Sequence, residues 1–302
     1  MTTLVVIEWL EYYGMNWVRI NGEDKIDLEF LGEDVKFTTS ENESFLLSQI
    51  KSFWYRRGVF NIGNILTSEI QQFKFFQHVE VKKIVEFLFF KLEKLKSISS
   101  FNTSDNNKLI TSSIARELKI KTTDDYLFSK SEFVKKLFTE KKIDFITKPI
   151  GGEGMHDFEK FTIYNYSKKI TLKKITSNIF FPSLIQNYIE KKYELRIFYL
   201  DEKFYTMAIL SQSDDKTKVD FRNYNKDIPN RTIPFKLPEN MEVKIDLLMK
   251  KLNLNTGSID MIVTPKNEFV FLEVNPVGQF GMTSYPCNYN LEEIVANYLR
   301  YD

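Results

Sequence analysis

Hydrophobic positions along this chain change their spacing repeatedly, and each change predicts an element. Residues 4–14 (LVVIEWLEYYG) read as a short helix ending at Gly14, followed by a strand at Trp17-Val18-Arg19-Ile20. Alternation over 25–31 and 34–38 predicts a hairpin turning at Gly32-Glu33. Ile70, Phe73, Phe76, Ile84, Phe87, Leu88, Leu92 and Leu95 recur at helical spacing over 68–96 without Gly or Pro, so one long or two consecutive amphipathic helices are expected there. A polar stretch from Ser97 to Asn107 reads as a linker. Beyond it come a helix at 106–119 and a second at 132–141 with Ser131 as its N-cap.

The rest alternates strand and helix. Strands are expected at 143–150, 160–166, 169–175, 184–189, 195–200 and 204–210, then a helix at 239–252 and a closing helix at 290–300. A loop is expected at 212–218. The Lys-rich 168–174 alternates Lys with Ile and Leu, as an exposed edge strand does. Between the last two helices, Ile259-Asp260-Met261 and Phe269 through Pro276 form two apolar strands joined by the turn Thr264–Glu268.

That hairpin holds the most informative chemistry. Side chains on a strand alternate faces, so Glu273 and Asn275 point the same way, and pairing can bring Asp260 beside them. Three hard oxygen ligands on one spot suit Mg²⁺ bound together with phosphate. The bland alternative is a set of solvated hairpin acids.

Composition narrows the field. The 302 residues suffice for a large core and two or three lobes. With 42 basic against 41 acidic residues, no global charge favours nucleic acid or an anionic membrane. No apolar run approaches the roughly 20 residues of a membrane span, and the acidic Glu8 and Glu11 do not fit a secretory signal. The lone Cys287 excludes an internal disulfide, and His78 and His156 are too few for most His-based metal sites. A cytoplasmic address is expected.

Upstream, Lys148 ends a strand and runs into Gly151-Gly152-Glu153-Gly154, glycines that let backbone N–H groups wrap phosphate oxygens. It is neither a P-loop, lacking Gly-Lys-Ser/Thr, nor a Rossmann fingerprint, since a strand follows. An ordinary hairpin turn is about as well supported. Gln186-Asn187-Tyr188-Ile189 ends another strand and leads into a polar turn, Glu190-Lys191-Lys192, whose backbone could read an adenine edge. Glu194 and Arg196 share one face of the next strand: a carboxylate for ribose hydroxyls and a planar guanidinium for a phosphoryl group or carboxylate. A surface ion pair between them is the alternative. Asp220-Phe221-Arg222 repeats the spacing. Ser52 through Gly58 (SFWYRRG) is an aromatic-basic cluster expected in a loop, more often an anchor than a ligand site.

Taken in order, Asn107-Lys108, Lys148-Pro149 with its glycines, Glu194-Leu195-Arg196, Asp220-Phe221-Arg222, Asp260 and Glu273-Val274-Asn275-Pro276 resemble the ATP-grasp superfamily. Asn275 through Gly281 resembles the closing motif of the ATP-grasp peptide maturases, which make microviridin-type and related ester- or amide-crosslinked peptides (graspetides). Ser284 through Tyr289, Phe53 through Arg57, and Val6 through Leu10 with Arg19-Ile20-Asn21 resemble the grasp-with-spasm subgroup. The resemblance spans nearly the whole chain; each motif is weak, the ordered set strong.

The resemblance implies an α+β, ATP-grasp fold: an N-terminal α/β lobe over 1–100 for peptide recognition, a central lobe over 101–187, and a C-terminal lobe over 188–302, with antiparallel sheets sandwiching ATP. Lys108 and Lys148 would grip phosphates, with Gly151, Gly152, Gly154, Gln186, Asn187, Ile189 and Glu194 around the nucleotide. Asp260, Glu273 and Asn275 would hold Mg²⁺, as two ions. An Asp or Glu of a ribosomal precursor peptide would take the γ-phosphoryl group, and a Ser or Thr hydroxyl or Lys amine would then displace phosphate, with Arg196, Asp220 and Arg222 as catalytic residues. A leader segment of the precursor, a radical-SAM SPASM partner and a homodimer are implied too. Family members begin with an additional apolar strand before the segment matching Thr3–Leu10, so a reduced or truncated N-terminal sheet is expected. Two other readings stand beside this one: a generic ATP-grasp carboxylate–amine ligase, and a non-catalytic nucleotide-binding scaffold for the radical-SAM partner.

Overall fold

Helical runs and strand alternation resolve, in a computed structural model, into seven α-helices and seventeen strands among the described residues, 2–63, 69–151, 155–158, 160–164, 167–212 and 230–301. The chain forms two units. One comprises Met1–Asp105, Gln279–Ser284 and Asn290–Asp302; the other comprises Asn106–Gly278 and Tyr285–Tyr289.

The first unit opens with α1 (Thr2–Tyr12). A sheet follows: β1 (Lys25–Leu31), β2 (Asp34–Thr39), β3 (Ser44–Leu46), and, after β4 (Ser52–Trp54), β5 (Asn61–Ile62), in the order β3-β2-β1-β5. Gly32 takes the left-handed φ of 68° that the tight β1–β2 turn demands. Ile26, Val35 and Phe37 on its inner face pack against Leu88 and Leu92 of α2 (Gln71–Leu92). Each such fully buried side chain contributes roughly 1.5–3 kcal/mol. β4 pairs in parallel with β6 (Lys96–Ile98).

Three expectations fail here. Residues 17–20 form no strand. The aromatic-basic loop and the linker each contain a short strand, β4 and β6, because Tyr55, Phe89 and Phe101 stack against one another and hold the two segments together. And α2 buries only Val85, Leu88, Phe89 and Leu92, leaving Phe73, Phe76 and Phe87 largely exposed.

The second unit begins with α3 (Lys108–Glu117), capped by Asn107, whose Oδ1 accepts from the N–H groups of Leu109 and Ile110. After β7 (Asp125–Lys130) and α4 (Ser131–Lys141), β8 (Phe145–Lys148) ends at Lys148. A hairpin of β9 (Met155–Phe158) and β10 (Phe161–Tyr164) precedes β11 (Lys168–Lys169) and β12 (Ile179–Asn187). These give a four-stranded sheet in the order β11-β8-β12-β7. The Lys-rich segment is an edge, but only two residues of it pair; Leu172–Lys174 turns into a 3₁₀ helix instead. Ser131 is the first helical residue rather than the cap, its N–H bonded to the Asn178 carbonyl.

Next, β13 (Tyr193–Leu200), β14 (Lys203–Leu210), β15 (Arg231–Phe235), α5 (Glu239–Lys251), β16 (Thr256–Val263) and β17 (Phe269–Asn275) build a five-stranded antiparallel sheet in the order β15-β14-β13-β16-β17. One face, with Leu195, Ile197, Ile259, Met261, Phe271 and Val274, packs on Ala115 of α3 and on Ile245, Leu248 and Met249 of α5. The other face carries the site. Two further helices, α6 (Gly281–Cys287) and α7 (Leu291–Leu299), complete the chain; α6 was not expected, having Pro286 within it. Among the described residues no helix is long and apolar enough to cross a membrane.

Candidate active site

Alternation along β13, β16 and β17 sends apolar side chains to the core and polar ones to the opposite face. Cross-strand register then lines up Arg196, Asp260 and Glu273: Arg196 pairs with Asp260, and Asp260 with Glu273. Asn275 lies on the same face, opposite Ser258. Phe271 and Val274 both enter the core although three residues apart, because Leu272 forms a bulge between the Met261–Phe271 and Asp260–Glu273 pairs.

Cations meet this row from three elements. Arg196 Nη1 donates to both oxygens of Asp260, at 2.7 and 2.6 Å. From the first turn of α3, Lys108 Nζ lies 3.4 Å from Glu273 Oε2 and donates to the Pro149 carbonyl at 3.3 Å. From the end of β8, Lys148 Nζ donates to the same Glu273 Oε2 at 3.2 Å. All five side chains are at least 85% buried. Among the described residues three cations therefore face two carboxylates, a balance that suits an anionic ligand.

The flanks are also built. Glu194 does not pair with Arg196; its carboxylate takes the ammonium of Lys191, and both side chains are almost completely buried. The polar turn expected at 190–192 thus hides a buried lysine. Gln186 Nε2 donates to Thr123 Oγ1 at 2.8 Å and Asp125 Oδ1 at 2.6 Å, and Asp125 in turn pairs with Arg116. Asn187 Oδ1 accepts from the Asp124 N–H at 2.7 Å, and the Tyr188 N–H donates to the Asp144 carbonyl. Ile189 follows that bond, partly buried. After Asn275 the chain turns, with the Gly278 N–H donating to the Asn275 carbonyl at 3.0 Å. A Cβ on Gly278 would stand 2.3 Å from Ser258 Cβ, so only glycine fits.

Gly151 is exposed, with nothing within 4 Å of where a Cβ would sit. Gly152, Gly154, Asp220 and Arg222, together with the expected loop at 213–218, lie outside the described residues.

No family model and no curated protein matches the sequence. Solved structures do match. Macrocyclase MdnC of Microcystis aeruginosa MRC, bound with precursor peptide MdnA, superposes with a TM-score of 0.77 and 24% identity over 99% of this chain and 95% of that one. A RiPP-associated ATP-grasp ligase of Chryseobacterium gregarium, in complex with ADP and a leader and core peptide, gives 0.80 and 23% over 98% and 90%. Macrocyclase MdnB of Microcystis aeruginosa MRC gives 0.74 and 20% over 100% and 95%. The fold is the ATP-grasp fold. Identities this low establish the shared architecture, and the chemistry rests on the residues themselves.

Those residues fit a magnesium–nucleotide pair. Among the described residues no group of three or more His, Cys, Asp or Glu side chains forms a self-sufficient metal cage. Two carboxylates in register and a nearby amide oxygen are instead the donor set of an ion that completes its shell with phosphate and water. The lysines on Glu273 supply the matching phosphate-directed charge.

Proposed function

We propose that this chain is a cytoplasmic ATP-dependent ligase that activates Asp or Glu side chains of a ribosomal precursor peptide and joins them to Ser or Thr hydroxyls (esters) or Lys amines (amides). The observation that carries the reading is the convergence of Lys108 and Lys148, from separate elements, on Glu273, whose cross-strand neighbour Asp260 is held by Arg196. The likeness of the whole chain to macrocyclases and a ligase solved with precursor, leader or core peptides supports the peptide as substrate.

In this reading Asp260, Glu273 and Asn275 would hold Mg²⁺, as two ions, and the Lys108 and Lys148 ammonium groups would bind phosphate oxygens. When bound, the metal–nucleotide would supply the phosphoryl group, so that a carboxylate oxygen of the peptide leaves as phosphate when the hydroxyl or amine bonds to the acyl carbon. Arg196 is placed to stabilise charge on the transferring group, since its guanidinium is already fixed by Asp260. Gly151, Gly152 and Gly154 would line the phosphates, Gln186, Asn187 and Ile189 the base, and Glu194, oriented by Lys191, the ribose. Asp220 and Arg222 would act on the acceptor. Residues 1–100 would take the leader segment, with 101–187 and 188–302 as the nucleotide lobes. A radical-SAM partner and a homodimer belong to the same proposal; co-purification and light scattering test them.

Incubation with Mg-ATP and a Thr-, Asp- and Glu-rich precursor should release ADP and remove one water per crosslink, read by mass spectrometry. ADP release without crosslinking on any such peptide would transfer the reading to a generic carboxylate–amine ligase. Absence of turnover with every acceptor would favour the scaffold.

A further inference from the structure

The aromatic-basic cluster that the nucleotide chemistry leaves unused has a particular geometry. The Arg56 guanidinium carbon lies 4.9 Å from the ring centre of Trp54 and 5.8 Å from that of Phe280, and the two rings stand 6.3 Å apart. All three belong to the first unit. Arg57 follows directly. Among the described residues no carboxylate lies within ion-pair distance of either guanidinium, and burial together with the charge of Arg57 makes Arg56 a weaker base than usual.

The backbone around it is fixed. Tyr55 is buried, stacks edge-on against Phe89 and Phe101, donates its backbone N–H to the Ile98 carbonyl, and donates its hydroxyl to the Gly58 carbonyl at 3.1 Å. Gly58, at φ 87°, closes the turn. Arg56 and Arg57 are thus presented on a short rigid turn.

Placing two arginines side by side without an acid costs electrostatic energy that an ordinary surface loop avoids. The two ring centres, 6.3 Å apart and 4.9 and 5.8 Å from the guanidinium carbon, lie to one side of the group rather than on opposite faces, and these contacts use none of the N–H donors, which lie in one plane along its edge. That edge matches the two oxygens of a carboxylate. We infer that the Trp54–Arg56–Phe280 stack, with Arg57 beside it, is a binding site for a carboxylate side chain of the peptide substrate, separate from the acid being activated. The inference rests on the peptide-ligase reading for the identity of the ligand. It assigns to this turn a role in choosing acidic peptides, with rigidity that lowers the ordering cost of binding.

The probe is a short, C-terminally amidated peptide rich in Thr, Asp and Glu, compared with the same peptide carrying Asn and Gln in place of every acid. Binding to the full-length protein is measured by calorimetry without nucleotide. The acidic peptide should bind about tenfold or more tightly than its amide counterpart, the effect of one well-oriented charged hydrogen-bonding pair. Arg56→Gln should lower that ratio several-fold, and Arg56→Lys should recover only part of the loss, because an ammonium cannot present the planar fork. Thermal melting of both variants checks that the turn remains folded. A ratio unchanged in a folded Arg56→Gln protein overturns the inference, as does equal binding of both peptides to the unsubstituted protein. ATP turnover by the unsubstituted protein reads the catalytic proposal separately: its absence sinks that reading and leaves the binding ratio to decide this one.

Discussion

Asp260 and Glu273 stand directly opposite each other on β16 and β17, yet each carboxylate is held by cations from other elements, Arg196 on one and Lys108 with Lys148 on the other. Two adjacent acids are tolerated because the surrounding fold delivers the countercharge. The arrangement makes the ligand-free site a set of provisional pairs, and its members should respond differently to substitution.

Glu273→Gln leaves two sheltered ammonium groups facing each other. The folded state should lose about 1–3 kcal/mol, the usual cost of stranding a buried polar partner. Adding Lys108→Met and Lys148→Met to the Glu273→Gln chain should recover most of it. Urea denaturation of the series measures this coupling, and strict additivity would show that the lysines and Glu273 do not interact.

Arg196→Met removes the guanidinium without crowding the sheet. Product formation should fall by a factor of about 10² or more, as for loss of a group that stabilises transferring charge, and the folded state should lose about 1–3 kcal/mol because the sheltered Asp260 carboxylate is stranded. Rate measurements at saturating Mg-ATP check it. A variant with ordinary turnover would reduce Arg196 to a partner of Asp260.

Gly278→Ala forces a methyl group into Ser258, where a Cβ would meet Cβ and Oγ at 2.3 Å. The turn after Asn275 must shift, at a cost of about 1–3 kcal/mol. Ser258→Gly introduced together with Gly278→Ala should restore only part of the melting temperature, because the Ser258 backbone nitrogen would still lie 2.7 Å from the new methyl group. Failure of that rescue would place the strain elsewhere.

Cys287 sits with Met207, Ile209 and Tyr289 in an apolar cluster, and burial pushes its thiol above the ordinary 9.0. Tyr289, its hydroxyl donating to the Thr206 carbonyl, is also raised, by burial and by the neighbouring thiol. The unfolded chain therefore releases these protons first. Stability should be level at neutral pH and fall as pH rises through about 9. Cys287→Ala should delay that fall, visible in melting temperatures across an alkaline series. Iodoacetamide should modify the native thiol far more slowly than the unfolded one.

The hairpin, the long helix α2 as an element, though not which of its apolar side chains are buried, and the strand carrying Glu194 and Arg196 were legible because period and turn chemistry are local. Partnership was not. Arg196 reads equally well as a partner for Glu194, and only the register between β13 and β16, which pairs residues 64 apart in the chain, gives it Asp260. Lys191 reads only as part of a polar turn, whereas the fold closes over it and supplies Glu194 as its counterion. The segment 17–20 has strand-like composition without a neighbour to pair with, so propensity alone could not make it a strand.

The bulge at Leu272 acts as a dislocation in an otherwise periodic strand. Upstream of it the phase of β17 is set by the core through Phe271; downstream the phase is set by the chemistry of Glu273 and Asn275. Strict alternation from Phe271 would bury Glu273 among aliphatic side chains. Leu272 is therefore the position in this strand where the chain has one residue to spare: deleting it restores plain alternation with every neighbour on its present face. Deleting Val274 instead would turn Asn275 inward. The tolerance of this strand to length changes should be concentrated at that single residue.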